Sequence, residues 1–369
     1  MIEVIKSIGL KAILSILPVM AIVVATNFVV DPANVIHNVA PEVAGYLLRG
    51  ENVSLIKENF GMRELREEYL HRSKQADIVV LGSSRSLQVR KWMLADSSAS
   101  FYNASVANAQ LDLYQSLYGI FKQQHHLPKT IVFCCDHWLF DMQRVENVQT
   151  AAHINTGFSP FKLSSLANRI IPTQFMEMMS FSYFQSSLAF LRVNKSLQQF
   201  YPTRDTNDRN MLLLADGGIQ YDVSIRQRSV EDVRRIVEMD LRRNNAKKKG
   251  DPSKFEERKI DSKRIAAFEE LLQIMKNDGV RCVLFLSPYH PLFYQNLPSL
   301  AATETIFREV AARNNLEIFG AYNPEQIQLT EADFFDYWHP TPEGLARFFA
   351  GEKVQTMFFK AEVPNSVKQ

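Results

Sequence analysis

The sequence has little of several things that would narrow its chemistry at once. Only 3 of its 369 residues are cysteine, and Cys134, Cys135 and Cys282 all lie inside apolar runs that read as buried strands. An odd count with an adjacent pair fits neither a disulfide framework nor a metal site, so buried free thiols are expected. Neither sign of charge prevails: 42 Lys plus Arg stand against 40 Asp plus Glu, a formal net charge of +2. Such a balance creates no overall field that would argue for nucleic acid or an acidic polymer as partner. Repeats, low-complexity tracts, a P-loop and a dinucleotide fingerprint are all missing, so no cofactor is expected. His125-His126 has no nearby third ligand, which argues against a metal site there.

Long apolar runs are missing too, except at the amino terminus. Residues 12–30, AILSILPVMAIVVATNFVV, hold no charged side chain, and with 8–10 they reach the length needed to cross a hydrocarbon core. Lys6 and Lys11 precede this run, whereas Arg49 is the only base in the twenty residues after it. The positive-inside bias therefore leaves the bulk of the chain outside the cytoplasm. Pro18 is tolerable in a membrane helix. A cleaved signal peptide would share the charged start, but Asn27 to Pro32 offers no small-x-small cleavage site. The expectation is a retained single-pass anchor over 8–30.

Residues 31–75 read as a stalk packing on the domain. At Ala76 the pattern becomes ADIVVLG, a short β-branched run ended by glycine. Similar runs follow at 130–136, 280–288 and 316–319. Helical segments at 261–278, with Asp261 as N-cap and Gly279 past the end, and at 303–314 separate the later ones. Strands alternating with such helices predict an α/β domain with a parallel sheet covered on both faces. That domain is split over 76–145 and 261–360 by an insertion at 146–260, expected to be largely helical. Within the insertion, 216–222 reads as a hairpin, 175–191 as a helix buried against the main domain or else a membrane-surface or substrate-tail contact, and 244–259 as a solvated loop.

Two distant segments carry the chemistry. Gly82-Ser83-Ser84-Arg85 follows the first buried strand, where open α/β sheets place catalytic groups. Asp336-Tyr337-Trp338-His339-Pro340 lies near the carboxyl end. A hydroxyl nucleophile needs an adjacent base, usually a histidine oriented by a carboxylate, and an Asp three residues before a His can supply both from one loop.

The pair of blocks resembles the SGNH hydrolase superfamily, which places a Gly-x-Ser block after the first strand and an Asp-x-x-His block near the end. The resemblance implies a three-layer flavodoxin-like fold with Ser84 as nucleophile, His339 as general base and Asp336 as orienting acid. It also implies oxyanion donors from a glycine after the second strand and an asparagine after the third. Here Asn108 stands at the former place and Asp136 near the latter. A backbone amide at Asn108 suffices, but an ionised Asp136 aimed at an oxyanion would raise the barrier, so it must be protonated, turned away or used otherwise.

A membrane-anchored branch of the superfamily, including teichoic-acid D-alanyl transfer proteins and accessory proteins of polysaccharide O-acetylation, is the nearer resemblance. The shared features are the amino-terminal span followed by Asp31-Pro32, the Gly-Ser-Ser-Arg block, Asp136-His137-Trp138-Leu139-Phe140, and Ser287-Pro288-Tyr289-His290-Pro291. It implies transfer or removal of acyl groups on a cell-envelope polymer, beside a multispanning acyltransferase. An inactive SGNH-like module that binds polymer or scaffolds such a complex is the alternative. Arg85 is placed to contact an anionic substrate group or to pair with a local carboxylate, and His290 to line the acceptor site or bond to backbone. Ser83 and Ser86 read as turn and cap residues.

Overall fold

A computed structural model describes residues 2–56, 61–94, 98–141, 173–194, 196–248 and 260–359. The chain is a mixed α/β protein with two sheets. Its strands are β1 (Asn52–Leu55), β2 (Ile78–Leu81), β3 (Phe101–Asn103), β4 (Thr130–Cys134), β5 (Phe200–Thr203), β6 (Met211–Leu213), β7 (Ile219–Gln220), β8 (Arg281–Leu286) and β9 (Glu317–Gly320). The larger sheet has the order β3-β2-β4-β8-β9, and every pair in it is parallel. Numbered along the chain, that order is 2-1-3-4-5. The order reverses at β2, so a crevice opens beyond its carboxyl end.

Alternation of side chains along each strand feeds two separate cores. Val79, Leu81, Ile131, Phe133, Leu284 and Leu286 pack against helices on one face, among them Leu111–Gln123, Ser262–Asn277 and Ser299–Asn314. Ile78, Val80, Val132, Cys134, Val283 and Phe285 point the other way and meet Leu345, Phe349 and Val354. Three layers result. Each fully buried aliphatic or Phe side chain contributes roughly 1.5–3 kcal/mol, so strands read from apolar runs alone are the natural middle layer. Helix boundaries follow the expected signals: Asp261 Oδ1 accepts from Lys263 N at 2.9 Å, and Gly279 takes a positive φ of 78°. All three cysteines are free and buried, as expected.

The smaller sheet, β5-β1-β6-β7, is antiparallel and departs from the expected organisation. Its β1 comes from the segment expected to be a stalk, and the other three strands from the insertion expected to be largely helical. Val53, Leu55, Leu213 and Ile219 bury one face against Val43, Leu47 and Leu65. The physical reason is mutual need: neither segment has enough apolar surface to close a core alone, and together they form one. The expected hairpin is present as β6 and β7. Arg66, fully buried, fastens this unit to the main domain by donating to the carbonyls of Ser105 and Gly217 and to the Tyr102 hydroxyl. Of the expected solvated loop, 249–259 lies outside the described residues, while 244–248 belong to the helix Val230–Lys248.

Helix α1 (Ile2–Val30) contains Pro18, and its side chains are described from Leu14 onward. Among the described residues no helix is long and apolar enough to cross a membrane. The 175–191 stretch forms helices Thr173–Met178 and Phe181–Asn194, which pack against α1 rather than against the main domain. The reason is polar. Asn27 is fully buried, and its Nδ2 donates to the carbonyls of Glu177, Met178 and Ser180 at 2.9–3.1 Å, satisfying groups left over at a helix end.

Candidate active site

Directly after β2 the chain makes a single 3-10 turn, Ser84–Ser86. Ser83 caps it, its Oγ accepting from Arg85 N at 3.2 Å, while Ser86 Oγ donates to Ser83 O at 2.9 Å and accepts from the Ser105 hydroxyl at 2.8 Å. These are the turn and cap roles expected of both serines. Gly82 is required by space: a Cβ there would run into Ser86 Oγ and stand 2.6 Å from Cys134 Cβ. Asn103, at the end of β3, donates from Nδ2 to the carbonyls of Ser86 and Val89 at 2.7 and 3.0 Å. The turn is thus held from two neighbouring strands, and Ser84 is left half-buried at the crevice.

The second block closes on itself. Phe335 N donates to His339 O at 2.9 Å, and Asp336 Oδ1 accepts from the amides of Trp338 and His339 at 2.7 and 2.9 Å. This Asx-type turn carries His339 Nδ1 to 2.8 Å from Asp336 Oδ2. On the other side of the ring, Nε2 lies 2.9 Å from Ser84 Oγ, across 255 positions of sequence. With the carboxylate accepting from Nδ1–H, Nε2 carries the free lone pair and accepts from the serine hydroxyl. Burial pushes the Asp336 carboxyl up, but the charge and hydrogen bond of His339 and the two amides outweigh it and hold the group below its ordinary value. The carboxylate is therefore ionised at neutral pH. The structure brings Ser84, His339 and Asp336 together in hydrogen-bond reach.

Asp136 follows β4 and is used for something other than an oxyanion. It is fully buried against a fully buried Arg85, whose Nη1 donates to Asp136 Oδ1 at 3.0 Å and to the Tyr289 hydroxyl at 2.7 Å. Arg85 Nη2 donates to the carbonyls of Ser287 and Pro288, and Nε reaches Trp338 O at 3.4 Å. Its guanidinium also lies over the Tyr289 ring, 3.5 Å from the centroid. Burial lowers the Arg85 pKa, but Tyr289 and Asp136 more than compensate and the net shift is upward. Arg85 is accordingly no surface contact for substrate. It is a clasp joining the loops after β2, β4 and β8 to the histidine loop, and it cancels the carboxylate charge that would oppose an oxyanion.

Asn108 is exposed and takes φ 56°, a left-handed conformation that Asn tolerates better than other side chains. That explains how an asparagine is accommodated at this turn. Among the described residues, neither the Ser84 nor the Asn108 backbone N–H donates to a protein acceptor. His290 is correctly near the site but takes neither expected role. It is fully buried, its ring packs edge-on against Phe334 at 5.5 Å, and neither ring nitrogen has a hydrogen-bond partner. Burial lowers its pKa, so the imidazole is neutral.

Several neighbours had no assigned role in the sequence. Tyr289 sits in the Pro-Tyr-His-Pro loop and bridges Arg85 to His137, whose Nδ1 lies 2.5 Å from the Tyr hydroxyl. Tyr221 packs its ring 5.8 Å from that of His339. Trp338 stacks on His137 at 5.2 Å. Tyr289 was marked by its position at a strand end and by the Ser287-Pro288-Tyr289-His290-Pro291 block, neither of which gave it a role, and nothing in sequence connected Tyr221 with His339. Among the described residues no group of three or more His, Cys, Asp or Glu is arranged to hold a metal. The arrangement is one for proton transfer and nucleophilic attack by a hydroxyl. Comparison with protein-family models gives no match for this chain, and comparison with curated proteins gives none either.

Proposed function

We propose that this chain is an SGNH-type serine acyl-ester enzyme of flavodoxin-like fold that transfers or removes acyl groups on a cell-envelope polysaccharide or related polymer. The observation that carries the reading is the relay Ser84 Oγ to His339 Nε2 at 2.9 Å and His339 Nδ1 to Asp336 Oδ2 at 2.8 Å. Ser84 Oγ attacks the acyl carbonyl as its proton passes to His339 Nε2, and Asp336 stabilises the imidazolium. The amides of Ser84 and Asn108 offer donors for the oxyanion. Collapse breaks the bond to the leaving oxygen, which takes the proton from His339 and departs, leaving an ester on Ser84. A sugar hydroxyl or water then gives its proton to His339 and attacks, and as the bond from the acyl carbon to Ser84 Oγ breaks, His339 returns that proton to Ser84.

Helix α1 is the proposed membrane anchor, with the bulk of the chain extracytoplasmic and a multispanning acyltransferase as partner. Support for the anchor comes from the large apolar side chains it leaves exposed, including Leu14, Leu17, Ile22 and Val29. On the two helices packed against α1, Phe175, Met176 and Phe181 are exposed as well. A fluorophosphonate probe tests the chemistry: wild type should label, and Ser84→Ala and His339→Ala should not. Retained labelling of the Ser84→Ala protein refutes the nucleophile. Release of acetate from an O-acetylated polymer, or its movement to a second polymer, separates hydrolysis from transfer.

A further inference from the structure

Beside the histidine loop lies a cleft of about 610 Å³ whose walls include Arg90, Arg226, Arg228 and Arg347 against only Asp333 and Glu343. Arg347 is paired with Asp333. Arg90 is paired with Asp216, whereas among the described residues no carboxylate stands within ion-pair distance of Arg226 or Arg228. Arg226 donates to the carbonyls of Tyr221 and Asp208 at 2.8 and 2.7 Å, and Arg228 to the carbonyl of Phe335 at 3.0 Å. Carbonyls fix the direction of a guanidinium without cancelling its charge. Arg90 lies deeper: its side chain is only 13% exposed and Asp216 Oδ1 stands 3.6 Å from its Nη1.

The cleft and the triad share a wall. Phe335 lines the cleft while its amide bonds the carbonyl of His339, and Tyr221, whose carbonyl holds Arg226, packs its ring against both Phe335 and His339. A ligand seated among these arginines therefore lies beside the loop that carries His339. We propose that the cleft binds the carboxylate or phosphate of an anionic glycan, the polymer on which Ser84 acts. The inference rests on the acyl-ester reading for its placement. Planar guanidinium forks suit such oxyanions, and the volume falls in the range of ordinary ligand sites. The near-zero net charge of the chain gave no sign of it because the positive charge is local.

The test uses the full-length Ser84→Ala protein, so that binding is read without turnover. Its affinity is measured by calorimetry for an oligogalacturonate, a glycerol-phosphate oligomer and a neutral dextran oligomer of matched length, at low and high salt. At least one anionic oligomer should bind about tenfold or more tighter than dextran, with the advantage shrinking in salt. The preference between the two anions identifies the oxyanion. Arg226→Gln with Arg228→Gln should abolish the advantage, and Arg90→Lys, which keeps the charge but loses the fork, should reduce it while the melting temperature stays near that of the parent. Equal affinity for dextran and both anions overturns the inference, as does parental anion affinity in a folded arginine variant. A serine probe that never labels wild type, with anion binding intact, sinks the acyl-ester reading and leaves the anion site standing.

Discussion

Replacing Arg85 with Met is the most informative single change, because it separates the clasp from the triad. The variant keeps Ser84, His339 and Asp336 and removes the donors that reach Asp136, Tyr289, Ser287, Pro288 and Trp338. It also leaves Asp136 fully buried beside an apolar side chain. Breaking one member of a buried ion pair costs about 3–5 kcal/mol, because the remaining charge loses its compensation. Against a typical total of about 5–15 kcal/mol, that is about a fifth or more of the stability. Asp136→Asn should cost less, about 1–3 kcal/mol, since the amide oxygen still accepts from Arg85 while the guanidinium stays charged. The double variant should be about 2 kcal/mol or more stable than the sum of the two single effects predicts, as expected of contacting groups. Denaturant unfolding gives the stabilities, and the rate of fluorophosphonate labelling reports the Ser84–His339 geometry. Labelling should slow in Arg85→Met even where the protein is fully folded, and Arg85→Lys should rescue it only in part. If Arg85→Met costs less than about 1 kcal/mol and labels at the wild-type rate, the clasp is neither structural nor positioning and the reasoning fails.

Further outcomes follow from single sites. His290→Leu should be as stable as wild type or slightly more so at pH 8, because neither ring nitrogen gives up a hydrogen bond. Its folded pKa lies below that of the unfolded residue, about 6.5, so the unfolded chain binds more protons below that pH and wild-type stability falls as pH drops toward the folded value. His290→Leu should remove that part of the slope, and identical slopes would refute it. Asp336, with a depressed folded pKa, contributes stability above its unfolded pKa of about 3.9 that is lost as pH falls further. Asp336→Asn should flatten stability below that pH and lower kcat by about 10⁴-fold at neutral pH, through loss of the correct imidazole tautomer. Gly82→Ala should displace the nucleophile turn and abolish probe labelling, since the added methyl meets Ser86 and Cys134; normal labelling would show that the turn yields.

The sequence by itself determined the parallel sheet and the two blocks of the site. Runs such as 78–81 and 282–286 are apolar because both faces are covered, and Asp261 and Gly279 punctuate a helix through local chemistry that needs no distant partner. Asp336 and His339 were legible as a unit for the same reason: an Asx turn is made by neighbours. Tertiary structure alone decided what the long-range partners do. Arg85, Asp136 and Tyr289 are 51 and 204 positions apart from the arginine's viewpoint, so nothing local could say that a misplaced carboxylate is cancelled by the residue after the nucleophile. The sheet shared by β1 and the insertion, and the arginine cleft, are of the same kind. Each depends on which surfaces meet, and pairing of half-buried strands or convergence of loops leaves too weak a pattern in any one segment to be read before folding brings them together.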